Sequence, residues 1–150
     1  MVTSDVQRDT IRQCLKAVRE YTNHGNDFIL VGGAGGILSG SNRTTSDMDL
    51  LLAAHVDPHQ FQEQILCING FSAPGGFLTF HGPVSMTIDF LKSTVLEKTY
   101  EDIAEHTFQD NGVALLNPDV ALAIKLHCYH RRADDENGVR KKKSDFEDIV

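Results

Sequence analysis

Apolar residues near the start of the chain recur at the spacing of one helical face. Ile11, Cys14, Leu15 and Val18 stand at i, i+3, i+4 and i+7, which predicts an amphipathic helix over residues 5–23. Asn23-His-Gly-Asn-Asp27 reads as a turn, and the unbroken apolar run Phe28-Ile-Leu-Val31 as a short buried strand. A glycine cluster, Gly32-Gly-Ala-Gly-Gly36, leads through Ile37-Leu38 into a polar loop over Ser39–Ser46. Met48–Leu52 predicts a second strand, and Pro58–Ile68 a helix with Phe61, Ile65 and Ile68 on one face. Phe77–Phe80 and Val84–Leu91 form a predicted antiparallel pair joined by the turn residues His81-Gly82-Pro83. Val113–Leu116 predicts another short strand. Asn117-Pro118 then supplies an N-cap and an N1 proline, with Asp119 suited to the dipole, for a helix running to about Arg132. Asp134–Gly138 reads as a loop, and Ser144–Val150 as the start of a last helix that the chain end cuts short. Helices and strands interleaved with hairpin-type pairing predict an α+β (mixed α/β) class.

Composition narrows the picture. A chain of 150 residues that is 41% apolar and 23% charged fits a single domain over residues 1–150 with one core. It excludes a disordered chain, a collagen-like fibre and a disulfide-built miniprotein. Apolar runs such as Leu50-Leu-Leu-Ala-Ala54 fall far short of the ~20 residues that cross a bilayer. Asp5, Arg8, Asp9 and Arg12 interrupt any signal-peptide core, and three widely spaced cysteines fit reduced thiols. The expectation is a soluble cytoplasmic domain with no membrane partner. The net charge of −7 argues against a long nucleic acid as partner. That charge is uneven. Residues 1–124 hold seven basic and fifteen acidic residues, whereas residues 125–150 hold seven basic and six acidic, an arrangement suited to one anionic ligand.

The glycine cluster fits neither familiar nucleotide motif. A dinucleotide fingerprint from Gly33 needs glycine where Leu38 stands, and a P-loop from Gly35 meets Ser41-Asn42 in place of its Lys-Ser/Thr. The acids behind the glycines are more informative. Asp47 and Asp49 stand two apart on a strand, so both side chains leave one face, with Cα atoms roughly 6.5 Å apart. Such a pair is costly unless cations neutralise it, and hard, oxygen-liganded Mg²⁺ suits it. Asp89 interrupts the apolar strand Met86–Leu91 on the face opposite Ile88 and Phe90. Three carboxylates on adjacent strands can hold two ions ~3.5–4 Å apart, the clamp for in-line phosphoryl transfer.

Val31-Gly-Gly33, thirteen residues, then Asp47-Met-Asp49-Leu50 resembles the hG[G/S]…Dh[D/E]h signature of the DNA polymerase β-like nucleotidyltransferase superfamily. Asp89 sits where that family carries its third acid. Arg43-Thr-Thr45-Ser-Asp-Met-Asp49 resembles the narrower R-x-T-x-D-h-D form of small AbiEii-toxin and aminoglycoside-adenylyltransferase types. Ala123-Ile-Lys125-Leu, Arg131-Arg132 and Lys143-Ser-Asp145-Phe-Glu-Asp148-Ile149 are similar to that group's tail, at looser spacing. The resemblance covers residues 28–149 in patches. It implies a nucleotidyltransferase fold, a small mixed sheet flanked by helices. It also implies transfer of an NMP, AMP above all, from an NTP to a hydroxyl, with pyrophosphate released. Asp47, Asp49 and Asp89 would be the catalytic metal ligands for two Mg²⁺ or Mn²⁺ ions, and Asp89 would help deprotonate the acceptor. Gly32, Gly33, Arg43, Thr45 and Lys125 would hold the nucleotide. The acceptor class stays open among a small molecule, an RNA end and a hydroxyl on a partner protein. Gly33 replaces a serine that would add a phosphate donor. The early chain end leaves little room for the family's helical domain, so that either a partner subunit or a second copy would complete the cleft, or the chain would be a minimal or truncated form.

Each residue also has a plainer account. Asp47 and Asp49 could face solvent as a strand-end pair, and the glycines could pack a helix closely on a strand. Arg43 could be a solvated loop cation and Lys125 a snorkelling one. Arg140-Lys-Lys-Lys143 reads as a solvated loop, and Asp145 and Asp148 as helix-start charges. His127, Cys128 and His130 lack a fourth zinc ligand at the usual spacing. No serine or cysteine nucleophile has a base at a suggestive position. The competing class is a non-catalytic nucleotide- or partner-binding module; a third reading is phosphohydrolysis by the same metal pair.

Overall fold

The computed structural model describes residues 3–38, 40, 44–94 and 97–131, with the backbone alone at Lys125 and residues 127–131. Among them are five α-helices and one open, mixed sheet of seven strands. Helix α1 (Ser4–Tyr21) is started by Thr3, whose side chain accepts from the Val6 N–H, and buries Ile11, Cys14, Leu15 and Val18. Strand β1 (Phe28–Val31) is buried throughout and is followed without a loop by helix α2 (Gly32–Leu38). Next come β2 (Asp47–Leu52) and α3 (Pro58–Leu66), the latter capped by Asp57 with Pro58 in its first turn. Then follow β3 (Phe71–Ser72), β4 (Thr79–His81), β5 (Ser85–Leu91), α4 (Tyr100–Ile103), β6 (Thr107–Asp110), β7 (Val113–Leu116) and α5 (Pro118–Arg131).

The glycine cluster therefore folds as a helix. Gly35 lets it lie on the sheet, because a Cβ there would come 2.9 Å from the Leu30 carbonyl oxygen. The helix predicted to reach Ile68 stops at Leu66, where Cys67 caps it. The hairpin strands predicted at Phe77 and Val84 start later, at Thr79 and Ser85. The loop expected at Asp134–Gly138 and the helix expected at Ser144–Val150 lie outside the described residues.

The strand order is β3-β4-β5-β2-β1-β7-β6. The central strands mix directions: β1 is antiparallel to β2 and parallel to β7, while β2 is parallel to β5. One face of the sheet presents Phe28, Leu30, Met48, Leu50, Leu52 and Ile88 to α1, α2 and α3. The other presents Ile29, Val31, Leu51 and Leu116 to Ile103 of α4 and to Val120, Ala121 and Ile124 of α5. Each fully buried Leu, Ile or Phe of this double core contributes roughly 1.5–3 kcal/mol by leaving water. No described helix is long and apolar enough to cross a membrane. Cys14 is buried and Cys67 exposed, and neither is in a disulfide.

Candidate active site

The site grows out of two sheet registers. Antiparallel pairing sets Val31 opposite Asp49, so the chain leaves β1 for α2 beside the acidic half of β2. Parallel pairing sets Asp47 beside Thr87 and Asp49 directly beside Asp89. Residues in register share a face, so the three carboxylates stand together on the face that α4 and α5 cover farther along. Asp47 and Asp89 are exposed and Asp49 is half-buried. Thr87 Oγ1 donates to Asp47 Oδ1 at 2.8 Å, and Ser46 Oγ donates to the same oxygen at 3.2 Å.

Gly32 touches this group most closely. It opens α2 with φ +68°, and a Cβ built on it would lie 2.7 Å from Asp49 Oδ2. A side chain there would occupy the space the carboxylate uses. Gly33, next in the helix, is half-buried. Thr45 is pinned from α1: its N–H donates to Gln7 Oε1 at 2.8 Å, and its carbonyl accepts from Gln7 Nε2. Arg43 lies outside the described residues. So does the side chain of Lys125, though its helix α5 packs on the acid-bearing face. The tail positions Arg132, Lys143, Asp145 and Asp148 lie outside them as well.

The surroundings of Asp89 disfavour its charged form, a cost that a bound cation would offset. Partial desolvation first, and the charge of Asp47 second, raise the Asp89 pKa above the ordinary carboxylate value. The one described His, Cys, Asp or Glu group of three or more whose ligand atoms all lie within 4.8 Å of one another is elsewhere, at His24, Asp27 and His55. Hard divalent cations such as Mg²⁺ suit an all-oxygen donor set such as the three carboxylates. Neither a scan against protein-family models nor a search of curated proteins returns a match to this chain.

Gln7 and Thr87 escaped the sequence reading. Gln7 had a signal, because it falls four residues before Ile11 on the buried face of α1 and is itself only 5% exposed. Gln7→Leu keeps the volume but leaves both Thr45 backbone groups unpaired. It is expected to lower stability by about 1–3 kcal/mol in urea unfolding, the cost of stranded polar groups. A loss near zero would show that the loop before β2 does not need this clamp.

Proposed function

We propose that the protein is a metal-dependent nucleotidyltransferase of the DNA polymerase β-like type, moving an NMP from an NTP to a hydroxyl. The observation that carries the reading is the register setting Asp89 beside Asp49 and on the same face as Asp47, against the side-chain-free backbone of Gly32. Asp47, Asp49 and Asp89 would hold two Mg²⁺ or Mn²⁺ ions, which supply charge neutralisation and Lewis-acid activation at the phosphates. Gly32 and Gly33 would offer backbone N–H groups to the triphosphate, and Thr87 orients Asp47 through its hydroxyl. The acceptor oxygen bonds to the α-phosphorus as the bond from that phosphorus to the β-phosphate bridging oxygen breaks. Pyrophosphate departs, and the acceptor proton passes to a carboxylate oxygen of Asp89. The acceptor class is open among small molecules, RNA ends and partner proteins.

A second reading is a module that binds nucleotide without transfer, since Asp47, Asp49 and Asp89 are not among the described groups whose ligand atoms all lie within 4.8 Å of one another. Both are tested together. Calorimetry with ATP, GTP, CTP and UTP plus Mg²⁺ or Mn²⁺ is expected to show binding of at least one NTP. With α-labelled NTP, label is expected on an added hydroxyl acceptor, on a co-purified protein or on the chain itself. Binding without label supports the module, phosphate release without label supports hydrolysis, and neither binding nor label overturns all three.

A further inference from the structure

At the other end of the β1–β2 pair, three side chains that the proposed transfer does not use meet around one oxygen. Asp27 precedes β1, whereas Gly32 follows it, which puts about 17 Å of strand between this point and the acids. His24 Nδ1 lies 2.9 Å from Asp27 Oδ2, and His55 Nε2 lies 3.1 Å from the same atom. All three ligand atoms fall within 4.8 Å of one another. We propose that His24, Asp27 and His55 form a binding site for Zn²⁺ or a similar divalent transition metal, with a fourth position open to solvent.

Geometry and donor chemistry carry this. Ligand atoms around a tetrahedral Zn²⁺ stand about 3.3 Å apart, given bond lengths of about 2.0–2.1 Å. The observed 2.9 and 3.1 Å therefore need to open by only tenths of an ångström. Two imidazoles and a carboxylate favour Zn²⁺, Co²⁺ or Ni²⁺ over the Mg²⁺ suited to an all-oxygen set. The two sites thus differ in the ions they select.

The ligands are also held in place. The turn bearing His24 and Asp27 is fixed by Tyr100, whose hydroxyl donates to the Asn26 carbonyl at 3.0 Å. The His24 ring sits edge-on against Phe61, with centroids 5.5 Å apart. The loop bearing His55 is tied on three sides. The Ala53 N–H donates to the Asp27 carbonyl at 2.9 Å. The Ala54 N–H donates to Glu101 Oε2 at 3.0 Å. Lys92 Nζ donates to the carbonyls of Ala53 at 3.2 Å and Val56 at 2.5 Å. Such outer contacts hold metal ligands in place. The His55 side chain is 64% exposed, which leaves an entry path and room for water or a ligand atom on the ion.

The test uses the intact chain. Co²⁺ titrated into metal-free protein is expected to give the visible absorption of a low-symmetry site, displaced by Zn²⁺, and Zn²⁺ is expected to raise the Tm. His55→Gln, at an exposed position, should keep the fold while weakening Zn²⁺ at least ~10-fold and abolishing the Tm rise. Asp89→Ala should leave both readouts intact, which separates this site from the transfer site. Absence of a Co²⁺ signal, or Zn²⁺ binding unchanged in a His24→Gln, His55→Gln double variant, overturns the proposal. So does binding that survives His55→Gln and is lost in Cys128→Ser, which would put the ion on α5 instead.

Discussion

Asp49→Ala, Asp47→Ala and Asp89→Ala are each expected to lower nucleotidyl transfer by about 10²-fold or more, because each removes charge that positions and neutralises the reacting phosphates. None should unfold the chain. Asp47 and Asp89 are exposed and Asp49 only half-buried, on a sheet whose packing residues are Ile29, Val31, Leu51 and their partners. For Asp89 the stability effect should run the other way. Its carboxyl pKa is raised in the fold, so the ionised form is disfavoured there relative to the unfolded chain. That penalty is present at neutral pH. It fades as the pH falls through the raised value and is gone below the ordinary carboxylate pKa, where Asp89 is protonated in both states. In chelator-treated protein, Asp89→Asn should therefore melt at or above the wild-type Tm at pH 7, with the difference vanishing in acid. Lost transfer together with unchanged or increased stability is what a site selected for chemistry predicts. An Asp89→Asn protein that transfers at the wild-type rate would remove this residue from the mechanism, and full activity in Asp49→Ala would remove the metal site with it.

The parts of the fold that were legible in the sequence are those where local signals coincide. Strand β1 was predicted at its observed bounds because Phe28–Val31 is an apolar run closed by turn residues before and glycines after. Strand β7 was placed equally well, its last residue meeting Asn117-Pro118. The glycine helix was not legible. Glycine costs about 1 kcal/mol per residue in a helix, and four of the first five residues of α2 are glycine. Packing overrides propensity here, since Ala34, Gly35, Ile37 and Leu38 are all buried. Strands β3 and β6 also escaped notice, one being two residues long and the other the polar Thr107–Asp110, ordered by its pairing with β7. For the acids, alternation along each strand gives the face of Asp47, Asp49 and Asp89 but not their alignment. Their meeting depends on β5 lying parallel to β2 in one register, and a one-residue slip would turn Asp89 to the opposite face. His24 meets Asp27 within one turn, three residues away, but His55 has no local spacing to either. Only the antiparallel β1–β2 pairing brings it to them.

Gly32→Ala is expected to separate the cost of an unusual backbone from the cost of a displaced carboxylate. At φ +68° an alanine is strained by about 1–2 kcal/mol, which should appear as a lower urea midpoint. Its Cβ would also lie 2.7 Å from Asp49 Oδ2, so the end of that side chain has to swing aside. The fold therefore survives, but Asp49 no longer points where the ions and the α-phosphate need it. A displacement of about 1 Å at a reacting centre can cost ~10²-fold in rate, so transfer should fall far more than stability. Gly76→Ala is the matched control. Its φ of +88° imposes a similar backbone strain, and an added Cβ there meets nothing within 4 Å. It should lose stability and keep transfer. If the two variants lose activity equally, the effect belongs to the backbone alone and the contact between Gly32 and Asp49 has no part in catalysis.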